Sequence, residues 1–256
     1  MKPHPGRSSL VAMLALSLPL FSAVVSAQEA KPPHWTYGGE EGPSAWGKLD
    51  SAYATCSIGH TQSPIDIKGA KPADLPALNF DYKAVPLNII DNGHTIQINY
   101  PAGSTLTVGD KTYTLKQFHF HHPSEEHING RGFAMVAHLV HADSSGNLAV
   151  VAVLLAQGEE NPLIATLWKN LPAEKGKAVD VPGVTVDMNK LLPADHGYYT
   201  FAGSLTTPPC SEGVTWYVLK HQSPVSAEEV AAFAKIYAKN ARPIQPTNGR
   251  QIRETK

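Results

Sequence analysis

Gln117-Phe118-His119-Phe120-His121-His122-Pro123 sets two imidazoles two positions apart. On a strand, that spacing puts His119 and His121 on one face, about 7 Å apart along the chain, with Phe118, Phe120 and His122 on the other. Two imidazoles so placed can converge on one small cation. A third can come from the next strand, residues 133–141, reached through a turn at Asn129-Gly130. There His138 shares a face with Val140 and His141 points the opposite way. The geometry asks for one of the two and does not say which. Three neutral imidazoles with a free fourth position are the ligand set of a catalytic zinc ion, whereas structural zinc is closed by four ligands, mostly thiolates. The chain has two cysteines, Cys56 and Cys210. In an exported protein two cysteines in one domain are expected to pair, which withdraws both thiolates from a metal. Closing so long a loop is worth up to roughly 5 kcal/mol in the chain-entropy account.

These side chains need a rigid sheet behind them, and the flanking sequence supplies one. Ile96, Ile98 and Tyr100 alternate with Thr95, Gln97 and Asn99. Leu106 and Val108 run into a Gly109-Asp110 turn, and Tyr113 and Leu115 resume the two-residue period beyond it. Residues 133–140 form another strand. Residues 148–155 are almost continuously apolar, as in a strand buried on both faces, and residues 214–219 read the same way. Helices are few. Asn161-Pro162 is a cap followed by proline at the first helical position, ahead of Leu163, Leu167, Trp168 and Leu171. Ser226 and Glu229 make a capping box ahead of Val230, Phe233, Ile236 and Tyr237. No internal repeat or linker divides the chain. The expected fold is mainly β (α+β): a single domain on a large twisted, mostly antiparallel central sheet with short peripheral helices.

Composition narrows the function. Hydrophobic residues make up 42% of the 256, enough for a sizeable core. A formal net charge of -1, without long runs of like charge, offers no basic field to hold nucleic acid. The first 27 residues read as a secretory signal peptide: Lys2 and Arg7, then an apolar stretch over residues 10–25, then Val25-Ser26-Ala27 before a cut ahead of Gln28. The apolar stretch is short for a membrane span and Pro19 interrupts it, so no stable span is expected after cleavage. The mature domain is then residues 28–256.

Several segments together resemble the α-class carbonic anhydrases, in the exported bacterial form. They are Gln62-Ser63-Pro64-Ile65-Asp66-Ile67, Asn92-Gly93-His94, residues 117–121, Ala137-His138-Leu139-Val140-His141, Ser204-Leu205-Thr206-Thr207-Pro208-Pro209, Val214-Thr215-Trp216 and residues 240–250. The resemblance spans roughly residues 34–253. It implies zinc held by His119, His121 and His138, which settles the choice against His141. It implies hydration of carbon dioxide to bicarbonate by attack of zinc-bound hydroxide. Thr206 would accept a hydrogen bond from that hydroxide and donate to Glu125, with Glu126 the rival acceptor; Glu125 lies thirteen residues before His138, which fits the family. Thr207 would line the substrate site. Val140, Val150, Leu205, Val214 and Trp216 would form the apolar wall that receives carbon dioxide. His94 would be the proton shuttle, with Tyr37, Asn92 and Gln97 ordering water near it. Gln117 would orient His119, and the Asn240 carbonyl would orient His121. Residence in the periplasm and a homodimer are both compatible with such a protein.

One position departs from the pattern. The family places a carboxylate two residues before the third ligand histidine, and here that residue is Val136, which cannot accept a hydrogen bond. His138 is therefore expected to be less firmly oriented, or to find a backbone carbonyl or water; the alternative is a compensating partner that makes the site ordinary. Two other functions compete with catalysis. A non-catalytic binding module on the same fold would lose a zinc ligand, and all three are kept. A periplasmic zinc carrier would not need Thr206, Glu125 and the apolar wall.

Overall fold

The computed structural model describes Pro33–Lys256, together with Met1. The expected signal peptide lies outside the described residues.

The expected architecture is borne out. Ten strands of a 13-stranded sheet run in the order Val179–Val186, Val85–Asp91, Ile96–Asn99, Lys111–His121, Met135–Ala142, Leu148–Gln157, Glu212–Leu219, Tyr198–Ser204, Arg253–Thr255, Lys71–Ala73, with Leu78–Asp81, Thr105–Val108 and Ser223–Val225 joined off this path. Most pairings are antiparallel. Leu148–Gln157 pairs in parallel with Glu212–Leu219 and with Ser223–Val225, and Arg253–Thr255 with Lys71–Ala73, so the sheet is mixed. Both faces of the centre are covered. Val151, Val153 and Leu155 enter one apolar cluster, and Val150, Ala152 and Leu154 another. This explains the unbroken apolar run of that strand.

The helices start where their caps place them. Asn161 accepts from the backbone N–H groups of Leu163 and Ile164, with Pro162 opening the Pro162–Trp168 helix. Ser226 and Glu229 close a reciprocal capping box on Ala227–Ile236. Leu171, assigned to the first helix stripe, lies beyond its end and packs on the core from the following loop.

The Lys111–His121 strand holds a feature that simple alternation misses. Tyr113 and Leu115 face the same cluster as Phe118 and Phe120, which breaks the two-residue period. Pairing with Met135–Ala142 shifts between Leu115 and Gln117. This β-bulge resets the phase of the strand. Without it, Gln117, His119 and His121 would continue the Tyr113–Leu115 face into the apolar core. With it, they point to the other side.

Candidate metal centre

The bulge and the register together assemble the site. His119 stands directly opposite His138 across the antiparallel pair, and His121 opposite Val136. The turn joining the two segments reverses at Asn129 and Gly130, which have φ of 52° and 82°. Positive φ at two successive residues suits an Asn-Gly pair. His141 faces the core instead, opposite Leu115, where its Nε2 lies 2.7 Å from the Tyr82 hydroxyl.

His119, His121 and His138 offer ligand nitrogens that all lie within 4.8 Å of one another. Each ring has its other nitrogen engaged. His119 Nδ1 is 2.8 Å from Gln117 Oε1, and His121 Nδ1 is 2.7 Å from the Asn240 carbonyl. His138 Nε2 is 3.1 Å from both carboxylate oxygens of Glu126. His138 therefore does not lack a partner, and the acceptor is neither a backbone carbonyl nor a water. Glu126 fills the place left by Val136 from a different segment.

The site fits a dication. His121 Nε2 is buried without a hydrogen-bond partner. Burial holds all three imidazoles below their usual pKa, His121 to about 4 and His138 to about 3, so each is neutral at pH 7 and able to ligate. Behind them lie two buried carboxylates. Burial pushes Glu125 up to about 7 and Glu126 up to about 8. The three neutral nitrogens form the donor set, and a dication held there would favour the ionised forms of the two buried acids behind them. Both cysteines are bonded to each other, Cys56 to Cys210, as expected.

Glu125 accepts from the Arg242 backbone N–H through Oε1 at 2.7 Å. Its Oε2 has no partner within hydrogen-bond geometry, yet the Thr206 side chain is close enough to favour its ionised form. Of the two rival glutamates, Glu125 is thus the one beside Thr206, because Glu126 is occupied by His138. Thr206 and Thr207 ride on the turn between Tyr198–Ser204 and Glu212–Leu219. That turn is tied by Cys210 N–H to the Thr207 carbonyl at 2.8 Å, by Leu205 N–H to the Ser211 carbonyl at 3.0 Å, and by the disulfide. Arg242, which the sequence reading did not single out, anchors the neighbouring segments. Its guanidinium donates to Gln62 Oε1, the Ser63 carbonyl and the Cys56 carbonyl.

A cavity of about 120 Å³ opens onto His119 and His121, and Tyr37, His94, Gln97 and Thr207 line it too. His94 sits on a turn in which Asn92 Oδ1 accepts from the backbone N–H of His94 and of Thr95. Its ring stacks on Trp35, centroids 3.7 Å apart and 6° from parallel. Partial burial, and then the nearby His34, hold its pKa below the usual value. Nothing in the spacing of Trp35 from His94 in the sequence signals this contact. Asn92 Nδ2 reaches Gln97 Oε1 at 3.3 Å. Val150, Val214 and Trp216 share one apolar cluster, with Val140 and Leu205 packed against it. The Trp216 ring stands edge-on to His138, centroids 4.9 Å apart. A larger surface hollow of about 400 Å³ beside Thr200 and Arg250 gathers no comparable cluster of ligating side chains.

Three converging imidazoles in mid-sheet, His121 and His138 buried and His119 half-buried at a cavity, make a site fitted to a metal ion. Residues 41–256 match the family described as eukaryotic-type carbonic anhydrase. A carbonic anhydrase of Neisseria gonorrhoeae is 44% identical over 248 residues, 96% of each chain. A hyperthermostable carbonic anhydrase identified from an active hydrothermal vent chimney matches with a TM-score of 0.84 at 44% identity, covering 87% of this chain and 100% of that one. Dioscorin DB3S of Dioscorea polystachya is 32% identical over 256 residues, 96% of this chain and 94% of that one. The chain belongs to the eukaryotic-type, or α, carbonic anhydrase family, and it is an enzyme that hydrates carbon dioxide reversibly to bicarbonate and a proton.

Proposed function

We propose that the chain works as an exported zinc enzyme in which His119, His121 and His138 hold the ion. The observation that carries this reading is the convergence of three imidazoles, two of them buried and one half-buried, each with its remaining nitrogen already engaged. When bound, the ion supplies the charge that acidifies a coordinated water; carbonic anhydrases are themselves the reference case for this, at a pKa of about 7.

The protein's own groups do the rest. Thr206 has one hydroxyl proton and directs it as a hydrogen bond to the Glu125 carboxylate, so its oxygen is left to accept from the reacting water, which turns a lone pair of that water's oxygen toward the substrate. Carbon dioxide is small and apolar, and Val140, Val150, Leu205, Val214 and Trp216 offer it an apolar wall. Thr207 borders the same space at the cavity. Each turnover must export a proton. His94 accepts it at the cavity and releases it to buffer, with Tyr37, Asn92 and Gln97 holding the intervening water. The leader-like residues 1–27 and the Cys56–Cys210 bond support delivery to an oxidising compartment, the periplasm in a bacterium. Among the described residues no helix is long and apolar enough to cross a membrane.

Stopped-flow hydration of carbon dioxide, before and after dialysis against a zinc chelator and again after zinc is restored, tests the reading. Activity that survives chelation unchanged overturns it.

A further inference from the structure

We propose that Glu126 is the positioning residue for His138, doing from the loop after His121 what a carboxylate at position 136 would do from within the strand. The inference rests on His138 being a metal ligand, as proposed above.

Glu126 is fully buried, and both its oxygens lie 3.1 Å from His138 Nε2. A carboxylate is rarely buried without a partner, because its ionised form loses water. Here the partner is one ring N–H shared between two oxygens. That contact makes Nε2 the protonated nitrogen and leaves Nδ1 to face the other two histidines. His119 and His121 are held the other way round, by Nδ1, which leaves Nε2 free in each. Fixing the tautomer of His138 is therefore a specific task, and Glu126 is placed for it.

The loop is built to hold that placement. Ser124 Oγ donates to the Glu126 carbonyl at 3.0 Å and accepts from the Phe133 N–H at 2.8 Å, and Ser124 N–H donates to the Phe133 carbonyl at 3.1 Å. His127 N–H reaches the Ile65 carbonyl at 3.3 Å. Ser124 and His127, on either side of the two glutamates, are thus pinned, one to the chain entering the His138 strand and the other to the adjacent segment. Position 136 meanwhile belongs to the apolar cluster, where Val136 packs with Ile65, Val150, Leu154 and Trp216. The carboxylate thus comes from the loop, while position 136 of the strand serves the apolar cluster.

The zinc-loaded protein is mixed with excess chelator and metal release is timed, for wild type, Glu126→Leu, Glu126→Gln, Val136→Glu and Glu126→Leu/Val136→Glu. Release from Glu126→Leu is expected to be about 10–100-fold faster than from wild type. Glu126→Gln, which keeps an acceptor but not the charge, is expected to fall between them. Glu126→Leu/Val136→Glu is expected to recover at least half of the logarithmic loss, a rescue that mere structural damage would not show. Nitrogen-15 NMR of the His138 ring in the zinc-free protein gives a second readout, with Nε2 protonated in wild type and a mixture of tautomers in Glu126→Leu. Release within twofold of wild type in Glu126→Leu, or in Glu126→Gln should the leucine variant not fold, overturns the proposal. None of these readouts uses carbon dioxide. A protein that fails to hydrate carbon dioxide yet shows this release pattern would sink the functional reading alone.

Discussion

Replacing His141 and its partner together, as Tyr82→Phe/His141→Leu, should flatten the acid limb of the stability curve. His141 is fully buried on the core face of the Met135–Ala142 strand, with Nε2 against the Tyr82 hydroxyl at 2.7 Å. Its Nδ1 has no partner in hydrogen-bond geometry, although nearby backbone groups at Leu139 and Ala149 favour the charged form somewhat. Burial dominates and holds the folded pKa at about 4. The unfolded value is about 6.5, so the gap is about 2.5 units, or about 3 kcal/mol at ~1.36 kcal/mol per unit. The folded state prefers the neutral ring. The stabilisation is therefore complete above about pH 6.5, falls as pH drops toward about 4, and changes no further below that. Urea denaturation at a series of pH values, on zinc-free wild type and zinc-free double variant, measures it. Removing zinc from both keeps metal linkage out of the comparison, and the ligand histidines titrate alike in each. Wild type should lose about 3 kcal/mol more than the variant across this window. Equal losses would refute the argument that His141 is a buried, neutral, structural histidine. The paired Tyr82→Phe change avoids leaving a buried hydroxyl unbonded, which would confuse the baseline.

Other perturbations test other parts. His94→Ala should lower kcat by up to about 10²-fold in dilute buffer while leaving kcat/KM nearly intact, with recovery on adding imidazole buffer; an unchanged kcat would remove His94 from the proton path. Thr206→Val should lower kcat/KM by about 10²-fold with zinc content unchanged, since orientation rather than metal binding is lost; metal analysis beside the rate assay separates the two. Gly203→Ala should destabilise the protein by about 1–3 kcal/mol or more, because the new Cβ would sit 2.3 Å from Ser63 Oγ and 2.6 Å from Trp216 Cδ1, and Trp216 is fully buried with nowhere to move. An unchanged melting temperature would contradict that packing.

Local signals with a local cause were legible in the sequence. The Ser226–Glu229 box and the Asn161-Pro162 start each depend on a few adjacent residues, and both appear where the pattern puts them. The two-sided burial of Leu148–Gln157 follows from composition alone. His119 and His121 were placed on one face correctly, but the alternation carried forward from Tyr113 and Leu115 would have aimed that face into the apolar core. No residue type announces the bulge at Lys116; it shows only in the pairing with the next strand. Periodicity is a property of one strand, and a change of phase is a property of two.

The carboxylate behind His138 fails to be legible for a related reason. Reading along the strand finds Val136 at the expected position and concludes that the acceptor is missing. What the metal site needs is an acceptor near Nε2 in space, and the sequence constrains that point only through the path of the loop over residues 122–127. That path is set by Ser124 bridging the Glu126 carbonyl and the Phe133 N–H and by the His127 bond to Ile65, none of which a spacing rule reports. The sequence did carry a trace of the answer. Two adjacent glutamates follow Ser124 where the Thr206 role requires one. Both are buried, and a buried acid needs its own partner. Glu125 takes the Arg242 N–H on one side and lies beside Thr206, which leaves Glu126 to be explained by some other cation or donor. An unexplained buried acid in one segment and a missing acid in another are therefore one observation: the carboxylate absent at Val136 is present at Glu126.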